Sequence, residues 1–217
     1  MSSVSENRVM PRSKDESTRT LILKACRRLL EAGPGQAVRM SDVAKAAGVS
    51  RQAVYLHFPK RADLLVETAR HIDAEEDVDA RLAPSRAAKD GLSRLDLYIE
   101  AWGNYIPVVM PTARALIAMS DTDADARAAW DNRMAAMRHG CEAAVRALDT
   151  DGRLTPELGP DRATDLLWSL LSVDHWDNLV QRCGWPQPDY IAQIQRLARA
   201  ALVEPAPQAR QPRIASL

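Results

Sequence analysis

An all-α fold is predicted for these 217 residues: about nine helices, three in a small N-terminal domain and the rest in a larger one. Three observations predict it. Apolar residues recur at i, i+3, i+4 spacing over most of the chain, and no stretch sustains the alternation of a half-buried strand. Turns rich in Pro, Gly or Asp punctuate the periodic segments. At 46% hydrophobic and 27% charged residues, the composition is that of a globular chain able to bury a sizeable core.

Residues 1–16 are polar and aperiodic and read as a mobile arm, in which Arg8, Arg12 and Lys14 either touch an anionic surface or are simply solvated. From Thr18 onward, Leu21, Ala25 and Leu29 fall at i, i+4, i+8 beside Ile22, Cys26 and Leu30, a single apolar stripe that ends at Gly33–Gly35. A short helix over 41–47 closes on Gly48, which suits a left-handed C-cap. Ser50 is placed to cap a third helix that runs to Phe58. Pro59 breaks the chain, and a fourth helix passes through Leu64, Leu65, Thr68 and Ala69 into the acidic residues 71–80. Five more are expected over 92–109, 111–120, 123–148, 160–182 and 188–203, followed by a Pro-rich tail.

Charge is distributed unevenly along this framework. Residues 1–70 carry 13 Lys+Arg against 7 Asp+Glu, while the remainder carries 16 against 22. A basic first third on an acidic remainder suits a chain whose one end meets a polyanion. No apolar run nears the roughly 20 residues of a bilayer span and the polar start lacks a signal-peptide core, so a cytoplasmic location is expected. Cys26, Cys141 and Cys183 are far apart and without CxxC spacing, which makes them reduced and mostly packed thiols.

Residues 40–59 have the internal packing logic of a helix-turn-helix: small Ala44 where a second helix crosses, Gly48 at the turn, and Val54 returning to the core. The second helix then exposes Arg51, Gln52, Ala53, Tyr55 and Leu56. Arg pairs bidentately with guanine and Gln with adenine in the major groove, and Leu56 suits a thymine methyl. Tyr55, His57, Lys60 and Arg61 are placed for phosphate oxygens, and Ser50 belongs to the same DNA-binding surface. The only phenylalanine, Phe58, belongs to the core.

The segment from Met40 to Leu65 resembles the DNA-binding segment of the tetracycline-repressor (TetR) family of transcriptional regulators. The likeness is carried by Gly48-Val49-Ser50, then Tyr55, His57-Phe58 and Lys60-Arg61, with residues 22–33 similar to the family's first helix. Where many members cap the second helix with Ser or Thr this chain has Arg39, so Ser41 is the expected cap and Arg39 a phosphate contact. The resemblance implies an all-α dimer whose helix-turn-helix binds a palindromic operator, with a ligand cavity in the larger domain and release of DNA when the ligand binds. It divides the chain into a 1–16 arm, a 17–62 DNA-binding domain, a 63–203 ligand-binding and dimerisation domain and a 204–217 disordered tail. The expected partners are double-stranded DNA, a small hydrophobic or aromatic effector and a second copy of the chain, with no cofactor.

In the larger domain Trp102, Tyr105, Met110, Trp130, Met134, Met137, Trp168 and His175 are the expected cavity residues, apolar and adaptable, with simple core packing as the alternative. Leu166, Leu170, Val173, Val180, Ile191, Ile194 and Leu197 follow 3–4 spacing in segments similar to the family's last two helices. Paired between subunits they make a four-helix interface, and within one subunit they are core. His71, Glu75 and Asp79 share a helix face, but an acidic solvated helix end accounts for them better than a metal site. The His139–Cys141 region lacks a third partner for nucleophilic chemistry, so an enzyme is not expected.

Overall fold

The computed structural model describes residues 17–33 and 38–204, so the expected arm, and the expected tail apart from Glu204, lie outside the described residues. Ten α-helices are present among them: α1 (Thr18–Glu31), α2 (Met40–Ala47), α3 (Arg51–His57), α4 (Arg61–Glu75), α5 (Val78–Arg86), α6 (Gly91–Ser120), α7 (Ala124–Thr150), α8 (Pro160–Leu170), α9 (Val173–Trp176) and α10 (Gln187–Leu202). A π-helical segment, Asp177–Arg182, continues α9. The only extended pairing among the described residues is one antiparallel bridge between Leu154 and Val203. The chain is all-α.

Local chemistry sets most boundaries. Ser17, Ser50, Asp90, Asp123 and Ser172 each accept an N-terminal amide hydrogen bond at the start of a helix. Gly48 takes φ +69° after α2, and the amides at the turn bond back to Ala44 and Lys45 carbonyls. Asp77 occupies the left-handed region at φ 51° and caps α5, so the acidic stretch that periodicity reads as one helix is two.

Two other boundaries differ from the sequence expectation. The break expected around Pro111 is absent, and α6 runs unbroken through Pro107 and Pro111. Pro107 has no N–H for the Gly103 carbonyl, and the Gln187 side chain donates to that oxygen instead, at 2.7 Å. The expected 160–182 helix breaks after Leu170. There the Leu171 carbonyl accepts the Trp102 indole N–H at 2.8 Å, and Ser172 starts α9.

Two apolar clusters organise the helices. One gathers Ile22, Cys26, Leu30, Val43, Ala44, Val54, Phe58, Leu64 and Leu65 from α1–α4, and it also takes Leu116 and Met119 from α6 and Ala126 and Ala129 from α7. The second fills the space between α6, α7, α8 and α10, where Leu95, Ile99, Val145, Leu167, Tyr190 and Ile194 are buried. α6 and α7 are the longest helices and each enters both clusters. They approach closely at the start of α6, where a Cβ on Gly91 would lie 2.5 Å from the Leu148 backbone nitrogen.

Cys26 and Cys141 are buried and Cys183 is exposed. Burial pushes the Cys26 thiol up to about 11 and the Cys141 thiol up to about 12, which leaves neither with thiolate at neutral pH. Ellman's reagent at neutral pH will therefore titrate one thiol per native chain quickly and all three after denaturation. Rapid modification of two or three in the native protein would contradict this packing.

Candidate nucleic-acid interface and internal cavity

α3 is short, and one residue ties it down: Val54 is fully buried. Around that anchor Arg51, Gln52, Tyr55, Leu56 and His57 are exposed, and Ala53 is half-buried. Leu56 is 80% exposed, a large apolar side chain standing on the surface of a well-packed domain. Arg51 lies over the Tyr55 ring, 5.6 Å from its centroid, with its guanidinium 3.5 Å from the Tyr55 hydroxyl. One turn of helix thus sets the Arg51 guanidinium beside the Tyr55 ring on the exposed face of α3. Ser50 is committed to capping, its Oγ accepting the Ala53 amide at 3.1 Å.

The basic residues expected on the same face part company. Arg39 and Lys60 are exposed, Arg39 at the N-cap position of α2 without a capping bond and Lys60 at that of α4. Ser41, expected to cap α2, lies inside its first turn instead. Arg61, expected to meet phosphate, turns inward. Its Nε donates to the Val38 carbonyl at 2.6 Å, and its two terminal nitrogens donate to the Asp123 carboxylate at 2.8 and 2.7 Å. Asp125 lies 3.3 Å from the same guanidinium. Lys60 is the extended N-cap residue and Arg61 the first helical residue of α4, and the two side chains take different directions, one to solvent and one to Asp123. Arg61 fastens the first four helices to the start of α7.

A cavity of about 250 Å³ lies between α4, α5, α6 and α7. Of the eight residues expected there, Trp102, Tyr105, Trp130, Met134 and Met137 line it. The other three are placed elsewhere. Met110 is buried in the second core cluster, Trp168 is 36% exposed on α8, and half-buried His175 sits on α9. Helical spacing identifies a face but not which neighbour the face meets.

Sequence reasoning missed the polar lining. Asp73 of α4 accepts the Tyr105 hydroxyl on Oδ1 at 2.7 Å and Arg133 of α7 on Oδ2. Arg81 packs against the Tyr105 ring at 5.8 Å, and Arg86 also reaches the lining. Burial, with Asp73 beside it, drives the Tyr105 phenol far above its ordinary value, so it stays a neutral donor. A signal was present: Arg133 falls three residues after Trp130, and Asp73 follows Ile72, each beside a cavity-facing apolar residue. The candidate metal face is otherwise engaged, with Glu75 near Lys24, Arg27 and His71, and Asp79 paired with Arg86.

Residues 22–68 match the sequence family described as bacterial regulatory proteins, tetR family. The HTH-type transcriptional repressor LfrR of Mycolicibacterium smegmatis is 29% identical over 161 residues, 74% of this chain and 78% of that protein. NalD of Pseudomonas aeruginosa, the secondary repressor of the MexAB-OprM multidrug efflux pump, superposes with a TM-score of 0.62 at 26% identity over 87% of this chain and 98% of its own. The fatty acid degradation regulator FadR of Bacillus halodurans shares the fold, with a TM-score of 0.62 at 17% identity over 86% and 96% of the two chains. Among the described residues, no helix is long and apolar enough to cross a membrane.

The Arg61 clamp can be tested without DNA. Arg61→Ala will lower unfolding free energy by about 1.5–3 kcal/mol in urea denaturation, the range for hydrogen bonds to charged groups, while Lys60→Ala will change it by less than about 0.5 kcal/mol. The Arg61 hydrogen bonds hold the Asp123 carboxyl below the usual range, against a smaller opposing effect of burial. A depressed folded-state value stabilises fully above the unfolded carboxyl's value of about 3.9 and is lost as pH falls through the folded one. The gap between wild type and Arg61→Ala should therefore narrow in acid; a gap independent of pH would rule out the ion pair as its source.

Proposed function

We propose, for a chain that belongs to the TetR family of transcriptional regulators, that it acts as a dimeric repressor whose α3 reads an inverted repeat and whose cavity admits a releasing effector. The observation that carries this reading is the outward face of α3. Base-capable Arg51 and Gln52 and an 80%-exposed Leu56 stand off a helix held by one buried valine. Arg51, Gln52 and Leu56 are assigned to base edges, and Arg39, Tyr55, His57 and Lys60 to phosphates. Ser50 contributes by holding α3 in place and Arg61 by holding the head.

Two copies are needed to read two half-sites about one helical turn apart. The surface assigned to pairing is the outer side of α8 and α10, where Trp168 and Leu197 are 36% and 38% exposed beside half-buried Leu166 and Leu170. Val173, Ile191 and Ile194, grouped with them on spacing alone, are already buried within one chain and serve its core. Val180 is half-buried on the π-helical segment.

Effector release has a physical route. α4 carries Leu64 and Leu65 in the head cluster and Ala69, Ile72 and Asp73 at the cavity wall. α7 carries Ala126 in the head cluster and Trp130, Arg133 and Met137 at the cavity. A ligand that binds better to a different spacing of these two helices shifts the head away from its operator geometry. LfrR and NalD, both repressors by name, favour repression over activation for this chain.

Selection from a random duplex pool with the full chain is expected to enrich an inverted repeat. Non-specific, salt-sensitive binding alone would overturn the reading. Arg51→Ala should cost about 1–3 kcal/mol of discrimination at one base pair of each half-site. Lys60→Ala should instead weaken all sequences alike and reduce the slope of log K against log salt by about 0.9 for each phosphate no longer neutralised. The double substitution Trp168→Asp, Leu197→Asp should yield a folded monomer in sedimentation equilibrium, and an unchanged dimer would place the interface elsewhere.

A further inference from the structure

The cavity walls are apolar and aromatic, but the charge that reaches them is one-sided. Arg81, Arg86 and Arg133 line the cavity against a single acid, Asp73. Both oxygens of Asp73 are occupied by the protein's own donors, the Tyr105 hydroxyl on one and Arg133 on the other. A cationic ligand would have to displace a tethered guanidinium to reach that carboxylate, past two further arginines. Arg133 is the reverse case. It spends one terminal nitrogen on Asp73, and its Nε and second terminal nitrogen make no hydrogen bond among the described residues. Its side chain is 20% exposed, and those two nitrogens remain available to a ligand. Arg81 is turned toward Glu76, and Arg86 toward Asp79 at the surface, which leaves Arg133 as the inner anchor.

We propose that the effector is a compact organic carboxylate with an aromatic body, held by Arg133, and that it acts by competing with Asp73 for that guanidinium. The proposal rests on the reading of the cavity as the effector site. A guanidinium presents parallel donors that match a carboxylate, and Trp102, Trp130 and Tyr105 offer faces for a ring. The volume, about 250 Å³, lies just under the roughly 300–1,000 Å³ of drug-sized sites and suits a small bicyclic molecule better than a long chain. Competition for Arg133 explains transmission: Asp73 and Arg133 tie α4 to α7, and loosening that tie frees the helix that carries Leu64 and Leu65 of the head.

The test uses three probes of one shape on the full-length protein: naphthalene-2-carboxylate, 2-naphthylmethanol and 2-naphthylmethylammonium. Calorimetry should find the carboxylate bound at least tenfold more tightly than either of the others, and the carboxylate should release operator DNA. Arg133→Gln should erase that preference while leaving the weak binding of the alcohol, which certifies an intact cavity. Asp73→Asn, which removes the competing acid and keeps the Tyr105 partner, should tighten carboxylate binding several-fold. Preferential binding of the ammonium or the alcohol would overturn the carboxylate assignment while leaving the effector site standing. Binding of none of the three, with the protein folded and bound to its operator, would overturn both.

Discussion

Arg61 is the residue on which the arrangement of the molecule turns. One guanidinium closes the carbonyl of Val38, grips both oxygens of Asp123 and faces Asp125. Asp123 is itself the N-cap of α7, accepting the amides of Asp125 and Ala126. The approach to α2, the start of α4 and the start of α7 therefore meet in a single partly buried charge cluster. A surface ion pair would contribute little, but this one is held from several directions and shielded on both sides. The apolar continuity around it has the same effect, since Leu116, Met119, Ala126 and Ala129 pack in the same cluster as α1–α4. The head is consequently an extension of α6 and α7 rather than a module on a tether.

From that junction α4 and α7 travel together to the cavity, where they meet again through Asp73 and Arg133. Two ion pairs thus join α4 to the start and to the middle of α7. Thr112 adds a third crossing, its hydroxyl donating to Glu31 at the end of α1 from the wall of the same cavity. Packed elements of this kind respond by discrete shifts rather than continuous bending.

Proline placement in α6 shows how a local rule yields to tertiary structure. Pro107 removes a helical hydrogen bond from the Gly103 carbonyl, and Gln187, distant in sequence, replaces it while also accepting the Trp176 indole N–H. At Gly103 α10 packs tightly, since a Cβ there would lie 2.8 Å from Ile191. The unbroken helix spans both clusters and carries Tyr98, Trp102 and Tyr105 of the cavity wall on one rigid rod. A break at those prolines would divide the helix that enters both clusters.

Much of this was legible in the sequence, and the division has a physical basis. The helices, the Gly48 turn, the Ser50 cap, the buried Val54 and Phe58 and the exposed base-capable face of α3 depend on residues within one or two turns of each other. Periodicity and capping chemistry report such short-range relations directly. The fate of Arg61, the joining of Asp73 to Arg133 and the continuity of α6 depend on partners 60 to 84 residues away. So does the sorting of Val173, Ile191 and Ile194 into the core while Trp168 and Leu197 stay outside. A charged or apolar side chain shows in sequence that it needs a partner, and only the packed chain decides which partner is in reach.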